Sequence, residues 1–207
     1  MPAAFRADEK AAPSPNPDYV TDARVTATSP RQVVTYTLNP RARWSDGSPI
    51  TWQDYHAQWK ALNGADPDFH VASTTGYQDI VSVARGENDH EVQVTFQSPF
   101  SEWQSLFWPL YPRSANATPE TFNTGWLNRV PVTAGPFRFA GFDQTAKTIT
   151  LVRDDRWWGT APSSTRSSSG RWTARRWWGP SPTASWTCST SGPRRPTTPG
   201  PRAPRAR

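Results

Sequence analysis

The chain has 207 residues, with 22 Pro, 12 Trp, a single Cys and a formal net charge of +6. That length suits one domain or one lobe of something larger, and a lone cysteine, Cys188, excludes both a disulfide framework and a thiolate metal site. The charge is uneven: residues 1–162 hold 14 Lys and Arg against 17 Asp and Glu, whereas residues 163–207 hold 9 Arg and no acid, so a nucleic-acid partner would rest on that last stretch alone.

Residues 1–20 read as an extended N-terminal segment. The start MPAAFRADEK has no apolar run, so no signal peptide is expected as written and the chain by itself would be cytoplasmic. Arg24–Thr28 and Gln32–Leu38 alternate and are β-rich, and Ser29-Pro30-Arg31 between them predicts a hairpin. Ser45-Asp46-Gly47-Ser48-Pro49 is dense turn chemistry. Thr51 then stands as an N-cap with Asp54 as the acid of a capping box. The helix it opens carries Trp52, Tyr55, Trp59 and Leu62 on one face, and Asn63-Gly64 closes it. Ile80–Ala84 and Glu91–Phe96 are strands about the turn Arg85–His90. Ser101 and Gln104 suggest a second capping box, opening a short helix over Trp103–Trp108. Phe137–Phe142 and Thr148–Arg153 form a hairpin around Gln144–Lys147. Many strands, few short helices and mostly turn connections predict an α/β fold with a mixed sheet. No stretch approaches the roughly 20 apolar residues of a membrane span.

From Ser163 to Arg207 there is no Ile, Leu, Val or Phe, although four Trp are present (Trp172, Trp177, Trp178, Trp186). Such a composition cannot offset ordering entropy, about 1–2 kcal/mol per residue for the backbone, and predicts a disordered tail. Trp has one codon, TGG, which a one-base shift turns into the end of one codon and the G of the next. With GC-rich codons the shifted frame reads PKLDEIVFR from Pro162 onward, with acids and an alternating apolar strand. Out-of-frame translation after about Pro162 would explain the Arg excess, the missing acids, the Trp and Cys188 together. The alternative is a genuine Arg/Ser/Pro tail that binds RNA.

The residues that invite chemistry have simpler readings. Ser45 and Asp46 have no His placed by sequence to serve as base, and a turn in which Asp46 bonds its own backbone accounts for both. His56, His70 and His90 lack metal-ligand spacing. Asp154 and Asp155 are adjacent on a strand, point to opposite faces and cannot converge on one bond. Trp103 and Trp108, before Pro109-Leu110-Tyr111-Pro112, form a Pro-broken aromatic loop that either packs or lines a ligand pocket.

The run Val34–Thr51, containing Trp44-Ser45-Asp46-Gly47-Ser48-Pro49-Ile50-Thr51, resembles the signature of the solute-binding protein family 5, the oligopeptide and dipeptide receptors of ABC importers. Glu91–Pro99, Thr133-Ala134-Gly135-Pro136-Phe137 and Leu151–Gly159, ending in Trp157-Trp158-Gly159, resemble three further family blocks in the same order. The decoded PKLDEIVFR resembles the next stretch of the family pattern. The resemblance covers about residues 20–162. It implies a partial lobe one (residues 21–162) of a two-lobed type II periplasmic-binding-protein-like fold, from a chain more than twice this long that carries a lipoprotein or secretory signal. It implies an extracytoplasmic binding protein rather than an enzyme, needing neither cofactor nor metal, that closes by a hinge on a peptide-type solute and docks on permease subunits. It brings Trp103, Trp108 and Tyr111, with Thr133, Gly135 and Phe137, toward the interlobe cleft. Trp44, Ser45, Asp46, Gly47, Pro49, Thr51, Pro136, Trp158 and Gly159 become structural signature residues. Nickel, opine and sugar receptors share the family, so the solute stays open. Competing readings are a Trp-rich glycan-binding or glycoside-acting domain and nucleic-acid binding through the basic tail.

Overall fold

A computed structural model describes residues 1–7, 9–10, 12–127, 129–145, 148–160 and 170–171. By its contacts the chain divides into Met1–Trp172 and Thr173–Arg207; the second unit, and with it most of the expected tail, lies outside the described residues.

Two short strands, β1 (Phe5–Ala7) and β2 (Pro13–Pro15), pair within the segment expected to be merely extended. Next come β3 (Val20–Ala27), β4 (Val33–Leu38), the helix α1 (Trp52–Leu62), β5 (Ile80–Arg85) and β6 (Glu91–Phe96). These four strands form one sheet in the order β3-β4-β6-β5. In the central strands alternation sets the inner face: Val34, Tyr36 and Leu38 of β4, and Val92, Val94 and Phe96 of β6, are all buried. α1 lays Tyr55 and Trp59 into that core, with Trp52 and Leu62 partly buried at its edge. The Asp54 carboxylate accepts a hydrogen bond from the Thr51 N–H at 2.9 Å, the acid half of the capping box. Gly64, at φ 77°, takes the left-handed turn that ends the helix.

After a single 3-10 turn at Trp103–Ser105 and the short helix α2 (Pro119–Thr124), a three-stranded sheet forms from β7 (Phe137–Asp143), β8 (Thr148–Arg153) and β9 (Gly170–Arg171). The predicted helix over Trp103–Trp108 is therefore too long. Glu102, not Ser101, caps the turn, without a side-chain bond, and Phe107 sits at φ 56°. The following Pro109 also disfavours helical geometry at Trp108. α2 has no counterpart among the predicted elements; it is short, starting at Pro119 with Thr118 accepting the Thr121 N–H at 3.2 Å. Every strand pairing among the described residues is antiparallel. The α/β class stands, but the mixed sheet resolves into antiparallel sheets. The β3–β4, β5–β6 and β7–β8 connections are too short for the crossover that parallel neighbours need. β9 departs from the expectation of a strandless tail: backbone pairing to the edge of β8 requires no apolar periodicity.

Candidate functional site

α1 carries two buried polar side chains one turn apart, Asp54 and Gln58, 2 % and 3 % exposed. Both reach the irregular segment after β6. The Asp54 carboxylate accepts the Arg113 N–H at 2.8 Å besides that of Thr51. Burial raises its pKa above the usual carboxylate value, and the two backbone N–H groups oppose that rise. Gln58 accepts from the Tyr111 N–H at 2.9 Å and donates to the Pro109 carbonyl at 3.1 Å and to the Tyr77 hydroxyl at 3.3 Å. The Tyr77 oxygen in turn accepts the Phe107 N–H at 2.8 Å, and burial pushes its own pKa up. These bonds hold a bulky residue, Phe107, in the left-handed region, where it stays only because its surroundings over-determine it. Its ring is fully buried against Tyr55, at 4.9 Å between centroids, and Tyr77, at 5.5 Å.

The consequence is a loop with a fixed path. Phe107 turns inward and Trp108, 68 % exposed, turns outward. Behind Trp108 lies a cavity of about 300 Å³ bounded by α1, this loop and α2. Tyr77, Tyr111, Phe122 and Trp126 supply aromatic walls, and Gln58 and Asn116 are its buried amides. Tyr111 and Trp126 meet edge to face at 5.2 Å.

Trp108 and Tyr111, both expected at a cleft, thus come together here. Trp103 does not join them: it packs edge-on against Phe5 at 5.5 Å and Tyr36 at 5.9 Å. Thr133 lies elsewhere, across from Ser45. The Ser45 N–H donates to the Thr133 carbonyl at 2.7 Å, and the Thr133 N–H donates to Ser45 Oγ at 3.0 Å. Beside this pairing is a polar hollow of about 420 Å³ that includes Arg138, Arg153 and Arg156. Gly135 and Phe137 line neither space, and a Cβ at Gly135 would meet nothing within 4 Å.

The signature residues form a joint. Asp46 Oδ1 accepts from the Ser48 N–H at 2.9 Å and the Ser48 hydroxyl at 2.6 Å, closing the turn on itself, and Gly47 supplies the positive φ of 93° it requires. The Tyr19 hydroxyl donates to the Ala134 carbonyl at 2.6 Å, the Asp154 N–H to the Pro136 carbonyl at 2.9 Å, and the Trp158 indole to the Asp18 carbonyl at 2.7 Å. Motifs distant in sequence are tied by hydrogen bonds in which at least one partner is a backbone group. Asp154 is buried and Asp155 exposed, so this pair offers no converging carboxylates. Among the described residues no three His, Cys, Asp or Glu side chains are grouped to hold a metal.

Sequence reasoning missed Gln58, Asn116, Phe122 and Trp126. Only Gln58 carried a signal: it follows Asp54 by one turn on a face otherwise flanked by Tyr55 and Trp59.

Comparison with known proteins places this joint in context. Residues 14–167 match the description "Bacterial extracellular solute-binding proteins, family 5 Middle". The oligopeptide-binding protein OppA of Mycobacterium tuberculosis (strain H37Rv) is 44 % identical over 165 residues, covering 78 % of this chain and 28 % of that protein. The chain thus spans less than a third of this relative's length. A periplasmic EDTA-binding protein, EppA, superposes with a TM-score of 0.71 at 33 % identity, over 77 % of this chain and 30 % of the other. The oligopeptide-binding protein AppA of Bacillus subtilis, solved with a nonapeptide, shares the fold with a TM-score of 0.63 at 15 % identity, over 76 % and 31 %.

Proposed function

The chain belongs to the bacterial extracellular solute-binding proteins of family 5, and we propose that it is part of the substrate-capturing component of an ABC importer for peptide-type solutes, working outside the cytoplasm. The likeness to an oligopeptide-binding protein at 44 % identity carries this reading. The loop fixed by Asp54 and Gln58 agrees with it: a rigid scaffold presenting Trp108 and Tyr111 suits a binding protein, in which preformed walls lower the ordering cost of capture. In this reading two lobes close about a hinge on an extended solute, and the closed form docks on the permease. The solute is gripped through its backbone, which gives affinity without strict side-chain choice.

Residues 21–162 then form part of lobe one, and residues 163–207 are out-of-frame translation. That is supported by composition and by a family match that ends at residue 167. The nucleotide sequence at the Pro162 codon tests it: an open alternate phase reading PKLDEIVFR is expected, and a stop within a few triplets overturns it. The function is tested by calorimetry with a mixed peptide pool, on the 207-residue chain and on a frame-restored protein. Micromolar binding by the restored protein alone is expected, because one lobe offers half the contacts against a cost of roughly 4–15 kcal/mol in lost translational and rotational freedom. Micromolar binding by the 207-residue chain would overturn the two-lobe requirement, and no binding by either would sink the peptide reading.

A further inference from the structure

We infer that the aromatic cavity behind Trp108 is a side-chain pocket for a phenol, the tyrosyl group of a peptide-type solute, with Asn116 as the group that reads its hydroxyl. The inference deepens the solute-binding reading above and rests on it. Two independent observations point to a ligand. The first is shape: about 300 Å³ lies at the lower end of ligand-pocket volumes, room for one ring rather than a length of peptide. Tyr77, Tyr111, Phe122 and Trp126 surround that space with ring faces and edges, which favours a planar apolar guest. The second is Asn116. It is 6 % exposed, it lines the cavity, and its Nδ2 makes no hydrogen bond among the described residues.

The other carboxamide on the wall is already engaged. Gln58 uses its amide on Pro109, Tyr77 and Tyr111, holding the loop in place. Asn116 is therefore the amide with a donor to offer. A buried amide N–H without a partner is costly, and a ligand oxygen that takes the bond recovers that cost. A phenol hydroxyl both accepts and donates, so it pairs with either end of the carboxamide. A benzyl side chain fills the same walls yet leaves Nδ2 unpaired. A site built around a buried polar group discriminates against such an analogue.

The test uses single amino-acid amides on the 207-residue chain, so it needs neither a second lobe nor a permease and can fail while peptide capture by the restored protein succeeds. N-acetyl-tyrosinamide and N-acetyl-phenylalaninamide are titrated while the indole N–H resonances are followed by NMR. The tyrosine amide is expected to saturate shifts of Trp108 and Trp126 with about fivefold or more tighter binding than the phenylalanine amide. Asn116→Ala should bring the tyrosine amide down to the phenylalanine level and leave the latter unchanged. Should Asn116→Ala fail to fold, the exposed rim variant Trp108→Ala is used, which should weaken both amides while leaving the melting temperature unaltered. No saturable shift with either amide, equal affinities, a tyrosine preference that survives in Asn116→Ala, or Trp108→Ala binding like the parent would each overturn the assignment.

Discussion

The sheet β3–β6 and the loop from Leu106 to Asn116 pack against the same helix, but they are held by opposite means. In the sheet, backbone groups pair along the strands, and α1 contributes ring area: Tyr55 and Trp59 press on Tyr36 and its apolar neighbours. In the loop, the backbone follows no ladder. Four of its N–H and C=O groups are claimed one by one by side chains, Asp54 taking Arg113, Gln58 taking Tyr111 and Pro109, and Tyr77 taking Phe107, while local turns and the Pro2 carbonyl take others. A ladder tolerates the loss of one side chain because its neighbours keep the register. A loop pinned at single points loses its path when one pin is removed. The helix thus serves as a wall on one side and a set of anchors on the other, and the candidate pocket lies on the anchored side.

The contrast breaks if the sheet side is not the main source of stability. Phe96 is fully buried at the end of β6 and stacks on Phe100 at 5.6 Å. Phe96→Ala is expected to destabilise by about 3–5 kcal/mol, the range for deleting a core ring. Chemical denaturation checks it, and the loss should appear in one cooperative transition. A second, earlier transition confined to the sheet would contradict a shared core.

The anchored side is probed by Gln58→Leu, which keeps volume and removes every bond to the loop. The Tyr111 N–H and the Pro109 carbonyl lose their partners, at a cost of about 2–3 kcal/mol. The signature is where the loss appears. Amide exchange at Tyr111 should accelerate far more than at Val94 in β6, since local opening draws on the least supported segment. Equal acceleration at both sites would mean the loop is held by its buried rings, not by its polar pins.

The same contrast explains what could be read from the chain. The sheet strands announce themselves by alternation, as in Val34-Thr35-Tyr36-Thr37-Leu38, and α1 by the spacing of Trp52, Tyr55 and Trp59, because each obeys a short-range period. The Ser45–Thr133 joint is legible as two motifs but not as a contact; 88 residues separate them, and only the fold brings them together. The start of the loop, up to Trp108, reads as a helix from sequence because its determinants lie elsewhere in the chain: Gln58 and Tyr77 fix the backbone around Phe107, and no local pattern encodes that. Asn116 is invisible for a plainer reason. A polar residue in a polar stretch, Arg113-Ser114-Ala115-Asn116, gives no sign that it is buried.

A finer test separates charge from hydrogen bonding at Asp54. Asp54→Asn keeps the shape but turns one acceptor into a donor facing an N–H, at an expected cost of about 1–2 kcal/mol at neutral pH. Burial raises the pKa of Asp54 in the fold. Between the ordinary carboxylate value and the raised one, the folded chain binds more protons than the unfolded chain, so this residue's contribution to stability falls as pH rises through that window. The variant should lack that slope. Denaturation midpoints measured at half-unit steps of pH, for parent and variant, check it; parallel curves would mean that Asp54 does not titrate in the fold differently from the unfolded chain.

The smallest effect belongs to His56, on the outer edge of α1, and its sign is opposite. Its ring meets Trp52 at 5.8 Å and Trp59 at 5.6 Å. Burial, and then the charge of Lys60 one turn on, hold its pKa below the ordinary value near 6.5. As pH falls through that ordinary value the unfolded chain takes up a proton before the folded one does. Stability contributed by the neutral ring is therefore lost as pH drops, and the loss ends once pH lies below the folded value. His56→Gln removes the titration and retains a polar group of similar reach. The difference in midpoint between parent and variant should be constant above neutral pH and shift against the parent on acidification. Because Asp54 acts in the reverse sense at lower pH, the double variant should show a flatter profile than either single one. A single-variant difference for His56 that stays constant from pH 8 to pH 5 would show that its proton binds alike in both states, and would leave the two tryptophans as packing partners without electrostatic consequence.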